Sequence, residues 1–290
     1  MIRINRTPYI AKHFPDGTQM LFDVPQINSH MTLEFTWQYA SDEEVMTLWY
    51  LVNHYRQNGH KGDMTLLMSY CPNARMDRVH NPTEVFTLKY FCNLINMMNF
   101  NKVVIYDHHS NVCAALLDRV EVRDNTPYVI DTVARIAYEN RVNEIVIYFP
   151  DYGAYHKYHE LYKEKLSQMK RIKLNYIYGQ KVRDWDTGKI LGLEVVNEQN
   201  VDLTGKTILM ADDIISYGGT MYYGAKKLKE LGCGNIFAYA THTENSVLDE
   251  EKGTLLKALN DGTVKRLYTT DSLYSGEHSA IIYANKAIVE

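Results

Sequence analysis

The sequence predicts an α/β protein of two halves, each a mainly parallel sheet flanked by helices. Short apolar runs of strand length recur along it, and the segments between them carry helical periodicity and helix-start signals. The 290 residues suffice for two domains of ordinary size, each with its own core. Strands that alternate with helices run parallel and are covered on both faces.

Taken in order, Ser41 is placed to cap a helix with Glu44 three residues on, and Val45, Met46, Leu48, Trp49 and Val52 supply its buried face. Residues 64–70 read as a buried strand. Asn81 and Pro82 open a second helix with a capping residue and a first-turn proline, continued through Phe86, Tyr90, Leu94 and Met98. Residues 103–106 are a strand, 131–137 a helix, 145–149 a strand, 154–166 a helix and 174–178 a strand. After a polar segment come a strand at 208–211, a helix and a strand at 235–240. A boundary near 138–144 gives domains 1–140 and 141–290, with the last residues packing back on the first domain.

The apolar fraction of 46% and charged fraction of 23% are those of a globular protein. A net charge of −4 supplies no broad basic field, so neither nucleic acid nor a membrane surface is an expected partner. Cys71, Cys92, Cys113 and Cys233 are dispersed, with no close pair to suggest zinc or redox chemistry. No apolar run approaches the roughly 20 residues of a membrane span, and no signal-peptide pattern opens the chain. A reducing cytoplasm is the expected location. The 23 tyrosines are explained by a Tyr-rich core and surface.

Residues 206–221 are the most informative segment. The apolar run at 208–211 ends in adjacent carboxylates, Asp212 and Asp213; Ser216, Tyr217, Gly218, Gly219 and Thr220 then turn the chain into a helix. Lys226, Lys227 and Lys229 form its polar side, Ala225, Leu228 and Leu231 its apolar side, and Gly232 closes it. A strand–turn–helix of this kind gathers free N–H groups and a helix dipole around one point, which suits a phosphate. The carboxylates repel phosphate and suit sugar hydroxyls, with or without Mg²⁺. The local chemistry asks for a sugar phosphate.

Ligands of open α/β sheets collect beyond the carboxyl ends of strands. There this chain carries Arg75, Asp77 and Arg78, then Asp107, His108 and His109, then Asp151 after Pro150, then Lys181 and Arg183. Together with Phe14-Pro15-Asp16-Gly17 and Tyr239-Ala240-Thr241-His242, these motifs stand in the order found in ribose-phosphate pyrophosphokinases, which the chain resembles from about residue 10 to 275.

The resemblance implies two type I phosphoribosyltransferase-like domains, the first on the ATP side and the second on the ribose phosphate side. It implies transfer of the β,γ-pyrophosphate of ATP to the C1 hydroxyl of a ribose phosphate, with release of AMP. By the same resemblance, Phe14 and Asp16 contact adenine across a subunit boundary in a homo-oligomer, and Arg75, Asp77 and Arg78 hold the nucleotide. His109 and Asp151 belong to the Mg²⁺ site, with His108 a possible competitor for the metal. Lys181 and Arg183 stabilise the transferring group, and Asp212, Asp213 and residues 216–220 hold the sugar phosphate.

Three departures from the family pattern stand out. Thr18 replaces the usual Glu, His108 replaces an apolar residue, and Ser216-Tyr217 replaces Asp-Thr before the double Gly. A phenol ring at 217 either fills the phosphate pocket or stacks on a group carried beyond the phosphate. The acceptor is therefore ribose 5-phosphate, or ADP-ribose in a route that rebuilds NAD. Two rival readings are a phosphoribosyltransferase and an inactive regulatory subunit. The chain has no Gly-x-x-x-x-Gly-Lys phosphate loop.

Overall fold

The computed structural model describes residues 1–183 and 190–284; for residues 181–183, 190 and 191 it describes the main chain alone. The chain divides into two compact units, one built from Met1–Asp124 and the other from Asn125–Ala287.

The first unit contains β1 (Ile2–Ile4), β2 (Thr7–Tyr9), β3 (Lys12–His13), β4 (Gln19–Met20), β5 (Leu33–Trp37), α1 (Glu43–Gln57), β6 (Met64–Met68), α2 (Thr87–Met97), β7 (Lys102–Tyr106), α3 (Asn111–Leu116) and β8 (Val120–Arg123). Its sheet has the order β2-β1-β5-β6-β7-β8. The strands from β5 to β8 are parallel, while β1 and β2 add antiparallel at one edge. Phe35, Trp37, Leu66, Met68, Val103 and Ile105 of the sheet pack with Leu48 and Leu51 of α1 and Phe91 and Ile95 of α2. β3 and β4 form a separate hairpin.

Two helix starts differ from expectation. α1 begins at Glu43, and Glu44 reaches back to the Trp37 indole (2.8 Å) and the Ala40 N–H (2.9 Å), so it forms no capping box with Ser41. Met46 lies on its exposed side. α2 begins at Thr87, because Asn81 closes a local turn instead: its side-chain oxygen accepts from the Thr83 N–H at 3.1 Å, and its amide bonds Glu84.

The second unit contains α4 (Thr126–Asn140), β9 (Glu144–Phe149), α5 (Tyr152–Lys165), β10 (Lys173–Arg183), β11 (Ile190–Val196), β12 (Thr207–Ile215), α6 (Gly219–Glu230), β13 (Ile236–Thr243), α7 (Thr254–Asn260), β14 (Leu267–Thr269) and β15 (Ile281–Tyr283). Its sheet runs β11-β10-β9-β12-β13-β14-β15, parallel except for β11, which pairs antiparallel with β10. The chain divides before α4, whereas the sequence placed a boundary after it. The helix's buried face of Val129, Val133 and Ile136 lies against β9 and β13, so α4 belongs to the second core. Residues 285–290, expected to pack back on the first domain, lie outside the described residues.

Candidate active site

In the second sheet the chain leaves β9 for β10 on one side and returns to β12 on the other. The strand order therefore reverses between β9 and β12, and ligands of open α/β sheets bind beyond the carboxyl ends of strands at such a point. Residues 150–153 and 212–220 follow from these two strand ends.

β12 continues as strand through both acids, with Asp212 opposite Ala240 and Ile214 opposite His242 of β13. Successive strand side chains diverge. Asp213, 5% exposed, lies 3.5 Å from the Lys157 ammonium of α5, and its N–H donates to Asp212 Oδ1 at 2.9 Å. At Asp212, burial, then the charge of Asp213, push the carboxyl well above the usual range. Asp151 caps α5, its Oδ1 accepting from the Ala154 N–H at 3.0 Å.

Beyond β12, the Ser216 hydroxyl meets Ser246 at 3.1 Å, and the Tyr217 carbonyl accepts from Thr254 Oγ1 (3.0 Å) and the Leu255 N–H (3.2 Å). Gly218 takes φ 80°, and a β-carbon there would collide with the Leu255 side chain. Only glycine satisfies both conditions. α6 then starts at Gly219, so its first N–H groups point toward the carboxyl end of β12. Gly232, at φ 80°, ends the helix as expected, while Leu231 is exposed rather than on its apolar side. The Tyr217 ring is 40% exposed, with the Lys252 ammonium 6.0 Å from its centroid.

In the first unit, Asp77 and Arg78 form a two-pronged pair at 2.7 and 3.1 Å in the loop after β6. Asp77 is buried, and the Arg78 hydrogen bonds, then the neighbouring Ser110 and His109, hold its carboxyl below the usual range. Thus Asp77, Arg78 and His109 come together; Arg75 is exposed on the same loop as Asp77. His108 is turned to Asn111 (3.0 Å), whereas His109 is exposed. Phe14 and Asp16 stand apart from them on the β3–β4 hairpin. Thr18 bonds Asp16 through its hydroxyl (2.7 Å) and N–H (2.9 Å), lowering the Asp16 carboxyl, and Phe14 is exposed beside them.

Lys181 and Arg183 end β10, but their side chains lie outside the described residues. His109 and Asp151 belong to different units. Among the described residues no group of three or more His, Cys, Asp or Glu side chains is arranged to hold a metal ion. Mg²⁺ takes one or two carboxylates and completes its shell with water and substrate phosphates, a chemistry that the Asp151 carboxylate fits.

Sequence reasoning missed Lys157 and Tyr148. Lys157 sits among the inward residues Ala154 and Tyr158 of α5, a pattern that marks a cation aimed at the sheet. Tyr148 is wholly buried, close enough to Asp151 and Asp212 that both raise its pKa, although burial is the larger cause. Gly179 and Gly224 leave the space that its phenol occupies.

No family model matches the chain. It is 26% identical over 236 residues to the ribose-phosphate pyrophosphokinase of Saccharolobus solfataricus, covering 80% of this chain and 75% of that one. It is 26% identical over 272 residues to the enzyme of the same name from Methanothermobacter thermautotrophicus, covering 92% and 86%. The crystal structure of phosphoribosylpyrophosphate synthetase from Mycobacterium smegmatis superposes with a TM-score of 0.71 at 17% identity, over 95% of this chain and 85% of that one. The structure is mixed α/β, with two largely parallel sheets flanked by helices, and shares its fold with that phosphoribosylpyrophosphate synthetase. The chain is similar, over most of its length, to enzymes of the ribose-phosphate pyrophosphokinase type.

Proposed function

We propose that this protein is a Mg²⁺-dependent pyrophosphokinase that moves the β,γ-pyrophosphate of ATP to the C1 hydroxyl of a ribose 5-phosphate-type acceptor and releases AMP. The observation that carries the reading is the acid pair of β12 followed by the Gly218 turn into α6, at the strand-order reversal beside Asp151. The N-terminus of α6 binds the acceptor's phosphate. Asp212 and Asp213 accept from the ribose hydroxyls. Arg75, Asp77 and Arg78 hold ATP, with Asp77 orienting the Arg78 fork. His109 and Asp151 would each be a candidate ligand for Mg²⁺, which would neutralise phosphate charge when bound. Lys181 and Arg183 steady charge on the migrating diphosphate. Phe14, exposed on its hairpin, contacts adenine in a neighbouring copy of a cytoplasmic homo-oligomer.

One observation favours ADP-ribose as the acceptor: the Tyr217 ring stands half-exposed at the start of α6 with a lysine nearby, presenting a flat face beyond the phosphate-binding turn. The product would then serve NAD salvage from nicotinamide. AMP release from Mg-ATP, measured with ribose 5-phosphate and with ADP-ribose, tests both levels. Release with either acceptor supports the pyrophosphokinase, and release with neither refutes it. Tyr217→Thr should shift preference toward ribose 5-phosphate; an unchanged preference removes the role of the ring.

A further inference from the structure

The cysteines are dispersed in sequence, yet the first unit gathers three of them. Cys71 opens the loop after β6, Cys92 lies on α2 and Cys113 on α3, and all three are buried. The sulfur atoms of Cys71 and Cys113 are 2.6 Å apart. Cys92 is close enough to act on the Cys71 thiol. Cys233 is buried in the second unit. The dispersed spacing along the chain gave no sign of this close approach in space.

We propose that Cys71 and Cys113 are a thiol–disulfide pair that closes under a peroxide oxidant and ties the loop after β6 to the helix after β7. A disulfide needs its sulfur atoms about 2.05 Å apart and its α-carbons within roughly 4.4–6.8 Å. Two sulfurs already in direct contact reach that geometry with little backbone movement. The bond joins two nucleotide-side segments, since Arg75, Asp77 and Arg78 follow Cys71 and His109 precedes Cys113.

The chemistry balances with hydrogen peroxide as oxidant. One thiolate attacks the peroxide, the O–O bond breaks, and a sulfenic acid and hydroxide form. The second thiol displaces the sulfenic oxygen as water. In sum, two S–H bonds and one O–O bond are lost, while one S–S bond and two water molecules form. The neighbouring sulfurs and burial push the Cys71 and Cys113 thiols up, so the link forms faster as the pH rises. A dithiol reductant reverses the bond, as expected of a cysteine pair in a reducing compartment.

The test treats the intact, folded protein with hydrogen peroxide, then unfolds it in an alkylating agent and maps its peptides by mass. The expected result is a Cys71–Cys113 cross-linked peptide lacking two hydrogens, cleaved by dithiothreitol, with Cys233 alkylated. Cys113→Ser should abolish the link, and Cys92→Ser should retain it, which keeps the test open if one variant misfolds. Alkylation of both thiols after oxidation, sulfinic acids without a link, or pairing of either cysteine with Cys92 overturns the proposal. The readout is independent of enzymatic activity.

Discussion

Lys157 of α5 lies 3.5 Å from Asp213 of β12, so a helix of the second unit neutralises one member of an adjacent acid pair. Asp212 is left near Tyr148 and Asp151 with its carboxyl pushed up. Asp213 is thus paired with a cation of the fold, and a ligand or cation that approaches Asp212 would meet a carboxyl already pushed up.

That division predicts the effect of Lys157→Met. Breaking a fully buried ion pair from one side costs roughly 3–5 kcal/mol. Lys157 is partly exposed, so a loss of about 2 kcal/mol is expected, read as a lower urea midpoint. Asp213→Asn in the same background should restore part of it. An unchanged midpoint in the single variant would show that other groups already balance Asp213.

At Gly218, alanine meets both a positive φ and the Leu255 side chain. Strain of this kind costs about 1–3 kcal/mol. Gly218→Ala should therefore destabilise the protein in chemical denaturation and weaken acceptor binding, because the turn carries the start of α6. Gly192→Ala, where no described atom lies within 4 Å of the added carbon, is the control and should be nearly neutral in stability.

Glu144 at the start of β9 is paired with Lys206 ahead of β12 and with Lys173 at the start of β10, the latter at 3.2 Å. Its carboxyl is lowered from 4.5 to about 2, chiefly by Lys206, then by Lys173 and Asn175. A carboxyl lowered on folding binds fewer protons in the native state than in the unfolded one. Its stabilising contribution is therefore full above pH 4.5 and is lost as the pH falls toward 2. Glu144→Gln should lower stability at pH 7 by about 1 kcal/mol, given the partial exposure of the pairs. Thermal unfolding of the two proteins should converge as the pH approaches that lower value.

Arg78 holds Asp77 by two parallel bonds, which lysine cannot reproduce. Under the proposed function, Arg78→Lys should raise KM for ATP by about tenfold, the scale of one lost charge-assisted hydrogen bond. KM for the acceptor should stay within about twofold. Equal changes in both constants would instead indicate a general loss of folding.

Much of this molecule was legible locally. The strands around Leu66, Ile105, Ile147 and Met210 are apolar runs whose neighbours cannot leave them exposed, and Gly218 and Gly232 mark turns that other residues resist. β5 was not anticipated, since Glu34 and Thr36 interrupt its apolar pattern. α2 was placed too early because Asn81 and Pro82 form a start signal that the chain uses for a turn. The side-chain chemistry at strand ends was readable because each loop follows its strand directly.

By itself, the sequence determined the alternation of strands and helices, the acidic and glycine-rich turn and the charged groups at each strand end, all properties of neighbouring residues. Only the tertiary structure decided that β12 lies beside β9, that α4 belongs to the second core, that Lys157 meets Asp213 and that Cys71 meets Cys113. Those pairings depend on strand order and on which helix covers which face. Both are set by burying surfaces contributed by residues far apart along the chain.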